Sequence, residues 1–439
     1  MFGGTRAQDT PSAMPNPEDR SSVKRTVFVF QGLSCERALV LFGRMLRFTT
    51  AGESHGPALV SILEGMVAGL PLLAADVDTE LARRQQGYGR GRRMKIESDH
   101  AEFLSGVRAG QTLGSPIAML IQNRDWKNWQ EIMDPAPREG DPDRKRPVTR
   151  PRPGHVDLSG MLKYDRDDAR DVLERASARE TTARVASGAV CRRFLREFGI
   201  TLGSHVVHLG GVDARRPDKM PLDLNAAADA SPLRTLDSAA EKEMIARVDA
   251  AKADGDTLGG VAEVVCEGVP VGLGSHVSWD RKLDGRLAAA IMSIPAVKGV
   301  EIGLGVESAR RKGSEVHDEI DSDEKNVKAG RVRRRSNRAG GMEGGISNGE
   351  QIVLRASMKP ISTLMRPLGT IEMKTREHAQ AVAERSDVTA VPAMGVIAEA
   401  MTAFVLAQAV LEKFGGDSLG ETRRNFENYV AGLSGRHGR

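Results

Sequence analysis

From Met45 to about Phe414, strand-like and helical segments follow one another with no linker between them. This alternation constrains the chain most. A strand has one face to hide and a helix one stripe, so each must be covered by a neighbour. "LVSILEGMVAGLPL" reads as a strand and turn, and "AADVDTELARRQQ" as a helix with an aspartate near its start. "SARETTARVASGAVCRRFLREFG" is a stronger helix, with Ser177 and Glu180 at capping-box spacing and Gly199 as its stop. "SAAEKEMIARVDAAKADG", "RLAAAIMSI" and "PAMGVIAEAMTAFVLAQAVLEKFG" read as further helices. "GVAEVVCEGVPVGLG", "VKGVEIG" and "GEQIVLRASMKP" read as strands. "LEGMVAGLP" at 63–71 is echoed by "CEGVPVGLG" at 266–274, which points to two related layers. The expectation is an α/β (α+β) fold with a single large domain over 45–415.

The ends differ from this body. Residues 1–44 are rich in Pro, Ser, Asp and Arg up to "TVFVF", a patch too short for a signal-peptide core and without a small-residue cleavage site. They are expected to be a disordered extension, and 416–439 a flexible tail. No apolar run reaches the roughly 18 residues of a membrane span. The three cysteines are far apart, with no CxxC and no Cys/His cluster at zinc spacing, so no metal is expected and a reducing, cytoplasmic compartment fits.

Four loops carry the chemistry. Gly52-Glu53-Ser54-His55-Gly56 sets a proton-transfer side chain between glycines, which would keep it open to a ligand. "RRQQGYGRGRRMK", Arg83 to Lys95, puts five arginines among glycines: a solvated basic loop or a clamp for a polyanion. "RPRPGHVD" sets His155 beside a glycine, and "ERASARE" crowds Arg175, Ser177 and Arg179 at a helix start that suits an anion. The fourth set is "NRAGGMEGGISNG", "MKPIST" and "RSDVTAVP", in which "KPIST" offers a lysine and two hydroxyls at a strand end. No GxGxxG follows a strand and opens a helix, so a Rossmann dinucleotide site is not indicated. Arginine supplies 47 of the 63 basic residues, and its planar fork suits phosphate and carboxylate. A GC-rich genome would enrich arginine as well.

Together "GESHGPALVSILEGMVAG", "RRQQGYGRGRRMKIE", "RPGHVD", "ERASARETTARVASGAV", "SIPAVKGVEIG", "AGGMEGGISNG", "MKPIST" and "RSDVTAVPAMGVIAEAM" resemble the chorismate synthase family, in order from Met45 to about Phe414. The resemblance implies a β-α-β sandwich, a homotetramer, and a lyase converting 5-enolpyruvylshikimate 3-phosphate to chorismate and phosphate by trans-1,4-elimination, with reduced FMN and no net redox change. This is the last common step of aromatic amino acid biosynthesis. By motif position, Ser54, Arg93, Arg152, Ser177, Arg179 and Arg385 would hold the substrate. Flavin contacts would come from Arg175, Ala176, Ser177, Pro295, Ala296, Gly344, Lys359, Pro360, Ile361, Ser362, Thr363 and Arg385. Arg84 and Arg90 match positions of an NADPH or anion site. His55 would give a proton to the leaving phosphate, His155 would stabilise charge on the reduced ring, and Asp387 would take the N5 proton. The chain looks like the monofunctional form, which implies reduced flavin from a separate reductase, with NADPH as source of reducing equivalents.

Two rivals stay open at this level. A flavin oxidoreductase could use the same pocket for net hydride transfer, and phosphate release without proportional NADPH consumption separates the two. A pI near 9.0 admits an anion- or RNA-binding protein, but only 4% of residues are aromatic and no nucleic-acid motif is present. Neither nucleic acid nor membrane is expected as a partner.

Overall fold

Two antiparallel sheets enclose a layer of helices. The structure, a computed structural model, describes residues 46–91, 98–136, 146–382 and 386–434. The expected extension 1–44 lies outside the described residues, as do Arg93 and Arg385. The described residues all fall in one compact unit.

The first sheet holds β1 (Arg47–Ala51), β2 (Ala58–Glu64), β3 (Glu102–Ser105) and β4 (Ile117–Gln122), in the order β1-β2-β4-β3. The second holds β5 (Thr201–Leu209), β6 (Val212–Asp213), β7 (Gly260–Glu267), β8 (Val297–Ile302) and β9 (Ile352–Met358), in the order β8-β9-β7-β5-β6. Every pairing within them is antiparallel, which makes the fold α+β. The principal helices are α1 (Ala74–Gln85), α2 (Asp157–Tyr164), α3 (Arg170–Ala176), α4 (Thr181–Arg196), α5 (Ser238–Asp254), α6 (Leu283–Met292), α7 (Val391–Phe414) and α8 (Leu419–Ser434). α4 packs on β2, α7 packs on β5 and β7, and the two helices pack on each other. This is the expected sandwich.

The pattern along β2 explains its place. Leu59, Ser61 and Leu63 alternate inward and are fully buried. Ser61 survives there because its hydroxyl bonds that of Ser187 on α4 at 2.6 Å. One residue on, a Cβ added to Gly188 would lie 2.4 Å from the Cβ of Ala400 on α7. Small residues at this crossing let the two middle helices approach closely.

Contrary to the expectation that no apolar run is long enough for a membrane span, α7 is long and apolar enough to cross one, yet it is a core helix, with 89% of its most apolar window buried. It carries one buried acid, Glu399, which the sequence reading passed over. Arg83 of α1 donates to it at 2.9 and 3.0 Å, and Arg192 of α4, Arg234 and Ser204 also reach it. Burial would raise the Glu399 carboxyl, but these guanidinium groups hold it well below the usual carboxylate range.

Both copies of the echo end a strand and carry positive-φ glycines at matching places. Gly65 and Gly268 have φ of 88° and 73°, and Gly69 and Gly272 of 80° and 99°.

Two expectations change. The Ser177–Glu180 capping box does not form. Ser177 Oγ accepts from the Arg179 amide, but Glu180 turns away to Thr50 and Arg184. The stretch expected as a flexible tail contains α8 instead. Leu419, Thr422, Phe426 and Leu433 form its buried stripe, and Phe426 packs edge-on against Phe414 and Phe198. Gly415 and Gly416 turn the chain at the end of α7 without releasing it.

Candidate active site

The loop between β1 and β2 is tied down from three sides. Gly52 has φ of 103°, and a Cβ there would meet the Ala58 carbonyl oxygen at 2.3 Å. Its role is to close the turn against β2, so the expectation that Gly52 keeps space for a ligand gives way to a backbone reason. Asn123 at the end of β4 donates to the carbonyls of Glu53 and Gly56. Arg175 at the end of α3 donates to those of Thr50 and Gly52.

The loop then presents Ser54 and His55. The Ser54 amide donates to the Glu174 carbonyl at 2.9 Å, and Ser177 Oγ donates to Ser54 Oγ at 3.1 Å. His55 Nδ1 lies 2.9 Å from a Glu174 carboxylate oxygen, and its ring stacks on Trp129 with centroids 3.8 Å apart. Arg170 holds the same carboxylate at 2.9 Å. Burial would raise the Glu174 carboxyl, but His55 and Arg170 pull it below its ordinary value.

His155 has a parallel arrangement. Asp157, fully buried at the start of α2, meets His155 Nδ1 and accepts from the Arg152 side chain at 2.8 Å. Arg152 also donates to Thr363 Oγ1 at 2.9 Å, which locks the loop to the segment after β9. Burial works against the Asp157 charge, but the His155 and Arg152 hydrogen bonds hold the carboxyl far below the usual range.

These loops open on one cavity of about 620 Å³. Ser54, His55, Arg152, His155, Ala176, Ser177, Pro295, Ala296, Lys359, Ile361, Ser362, Thr363 and Asp387 line it. Residues from six distant stretches of chain thus meet on one wall. A second cavity of about 620 Å³, edged by Gly87–Gly91 and Lys252, shares Thr363, Ser386 and Asp387 with the first. Asp387 therefore stands where the two meet. Its carboxylate accepts from the Gly91 amide at 2.6 Å and pairs with Arg90 at 3.1 Å.

The remaining candidates sit elsewhere. Arg90 lines the second cavity. Arg84 and Arg179 are buried outside the lining: Arg84 donates to Thr181 and the Ala178 carbonyl, Arg179 to Asn123 and Asp99. Burial pushes the Arg84 guanidinium down, against the pull of Asp99. Arg175 clamps the first loop from its exposed side, and Pro360 is not part of the lining. Gly344, φ 59°, lies in the turn of a hairpin formed by Met342–Glu343 and Ile346–Ser347, also outside the lining. No cluster of His, Cys, Asp or Glu among the described residues could hold a metal ion.

Sequence reasoning missed Glu174, Asp157 and Trp129. Glu174 and Asp157 lie inside the segments "ERASARE" and "RPGHVD", but nothing local says which histidine a carboxylate will meet. For Glu174 the partner is 119 residues away.

The chorismate synthase family model matches residues 46–411. A chorismate synthase of Geobacter sulfurreducens is 57% identical over 389 residues, 88% of this chain and 98% of the relative. One of Rhodococcus jostii is 57% identical over 398 residues, 89% and 99% of the two chains. A crystal structure of chorismate synthase superposes with a TM-score of 0.71 at 45% identity, covering 89% of this chain and 99% of the other.

Proposed function

This chain belongs to the chorismate synthase family, and from that premise we propose how its cavity performs the family's reaction. The reaction converts 5-enolpyruvylshikimate 3-phosphate to chorismate and phosphate, which makes the protein a carbon–oxygen lyase. The observation that carries the residue roles is the meeting of Ser54, His55, His155, Ser177 and Asp387 on one cavity.

The family uses reduced flavin, and the cavity fits one. At about 620 Å³ it lies in the range of cofactor pockets. Pro295, Ala296, Met358 and Ile361 offer an apolar wall, and Lys359, Ser362 and Thr363 offer donors beside it. Those residues, with Ala176 and Ser177, would hold reduced FMN. Bound there, it supplies an electron-rich ring and the N5 acceptor for the substrate's C6 hydrogen.

The chain's own residues do the rest. Ser54 and Ser177 orient the substrate through their paired hydroxyls, and Arg152 and Lys359 add positive charge to the wall. His55 gives a proton to the phosphate oxygen as the C–O bond breaks, so the leaving group departs less charged. His155, backed by Asp157, would stabilise negative charge on a bound reduced flavin. Asp387 would accept a proton from N5 of a flavin held there. NADPH is the proposed source of reducing equivalents, and the enzyme is proposed to work as a cytoplasmic homotetramer.

Mixing the protein anaerobically with reduced FMN and 5-enolpyruvylshikimate 3-phosphate tests the reaction. Chorismate and phosphate are expected in equal amounts. Phosphate without chorismate, or neither, would overturn it.

A further inference from the structure

Glu174 has no assigned role in the chemistry, yet it meets His55 through both the histidine's amide and its ring. Its carbonyl accepts from the Ser54 amide and its carboxylate from the His55 amide at 3.0 Å. The same carboxylate lies 2.9 and 3.0 Å from His55 Nδ1. The Glu174 side chain is only 2% exposed, so these contacts act with little screening by water. Arg170, one turn earlier on α3, fixes the carboxylate from the other side. Trp129 stacks on the imidazole, and its own ring is held by Asp125 through Nε1, with Arg170 5.2 Å from its centroid.

We infer that Glu174 is a positioning residue that keeps a proton on His55 Nδ1, so that the imidazolium offers its Nε2 proton to the reacting phosphate and the ring is left as the neutral Nδ1–H tautomer. This rests on the reading of His55 as proton donor. An imidazole that gives up its Nε2 proton must keep the other on Nδ1, or it would be left as an imidazolate. A buried carboxylate accepts from Nδ1–H and cannot donate to Nδ1, so it allows one arrangement only. In the transfer itself, the C–O electron pair leaves with the phosphate, the Nε2 proton follows it, and Nδ1–H stays on Glu174. Arg170 keeps the carboxylate ionised, and Trp129 sets the ring plane. Further charges on the surrounding elements, among the described residues, include Glu53 on the histidine's own loop, Arg175 at the end of α3 and Arg146, 5.8 Å from the Trp129 ring centroid. Arg175 is spent on main-chain carbonyls.

Glu174→Gln tests this. An amide keeps the shape but can donate to Nδ1 and select the opposite tautomer. In the full chain with reduced FMN, kcat is expected to fall roughly 10²–10⁴-fold, as when the carboxylate behind a catalytic histidine becomes an amide, with KM within a few-fold. The ¹⁵N spectrum of the His55 ring, identified by its loss in His55→Ala, should lose its Nδ1–H signature. Glu174→Asp keeps the charge, so it should retain that signature and recover at least tenfold of the lost kcat. If Glu174→Gln does not fold, Glu174→Asp decides alone: parental kcat with the Nδ1–H signature gone overturns the inference. An unchanged tautomer in folded Glu174→Gln, or a loss confined to KM, overturns it too. His55→Ala turning over at the parental rate would instead remove the proton-donor role, and the ¹⁵N result would still report the Glu174–His55 coupling.

Discussion

Asp387 has two plausible lives, and one substitution separates them. Its contacts to Gly91 and Arg90 would suit a simple loop tie. Asn at that position still accepts from Gly91 but gives up the charge paired with Arg90, whose side chain is only 10% exposed, so some loss of stability is expected. As a base it would fail outright. Asp387→Asn is therefore expected to fold and bind reduced FMN and substrate like the parent while single-turnover rate falls roughly 10²–10⁴-fold; a rate within a few-fold of the parent removes it from the catalytic residues. Gly52 makes the opposite kind of case. Gly52→Ala must accept φ of 103° and a 2.3 Å approach to the Ala58 carbonyl, so the loop has to shift. A cost of about 1–3 kcal/mol is expected, seen as a lower Tm together with lower kcat, because Ser54 and His55 ride on that loop. Parental values of both would show that the turn tolerates a side chain. The glycine–histidine and arginine loops were legible because their residue types cannot form a core. The partners of those side chains were not. Arg84 and Arg179 looked like free cations in sequence, and Thr181, Asn123 and Asp99 claim them only after folding.

Elements were more legible than their ends. β2, α1, α4, α5, β7, α6, β8, β9 and α7 were read from the sequence, whereas the strands β3 to β6 and the short helices α2 and α3 were not. α8 was hidden by the glycine pair before it and by its charged outer face, although its buried positions recur with helical spacing. The capping box was hidden because Glu180 has Thr50 and Arg184 as stronger tertiary partners. Glu399 makes α7 the element most sensitive to a single charge. Glu399→Ala leaves Arg83, Arg192 and Arg234 buried with one shared partner gone, which should cost about 3–5 kcal/mol in chemical denaturation. A loss under about 1 kcal/mol would mean that Glu80 and Asp229 suffice for those arginines. The pH dependence has a definite sign. Glu399 has its carboxyl depressed in the folded state, so its contribution is present above the ordinary value of 4.5 and fades as pH falls below it. The parent should lose stability progressively below about pH 4.5, and Glu399→Gln should show a shallower decline. Identical slopes would contradict the depressed value.

At the scale of the molecule, the two sheets serve one purpose: they hold loops from both halves of the chain against a single cavity. β1 and β2 deliver Ser54 and His55, α3 delivers Glu174 and Ser177, β9 delivers Lys359 to Thr363, and the start of α7 follows Asp387. No one segment could assemble this set, which explains why sequence motifs name the parts and folding alone names their pairs. The central claim is a redox-neutral elimination in that cavity. Its most direct test is turnover with reduced FMN supplied anaerobically far below the substrate concentration, following chorismate, phosphate and the flavin absorbance together. The expectation is many molecules of chorismate and phosphate per flavin, in equal amounts, with the flavin still reduced at the end. Product that stops at one equivalent per flavin, with the flavin oxidised in step, would show net hydride transfer and contradict it.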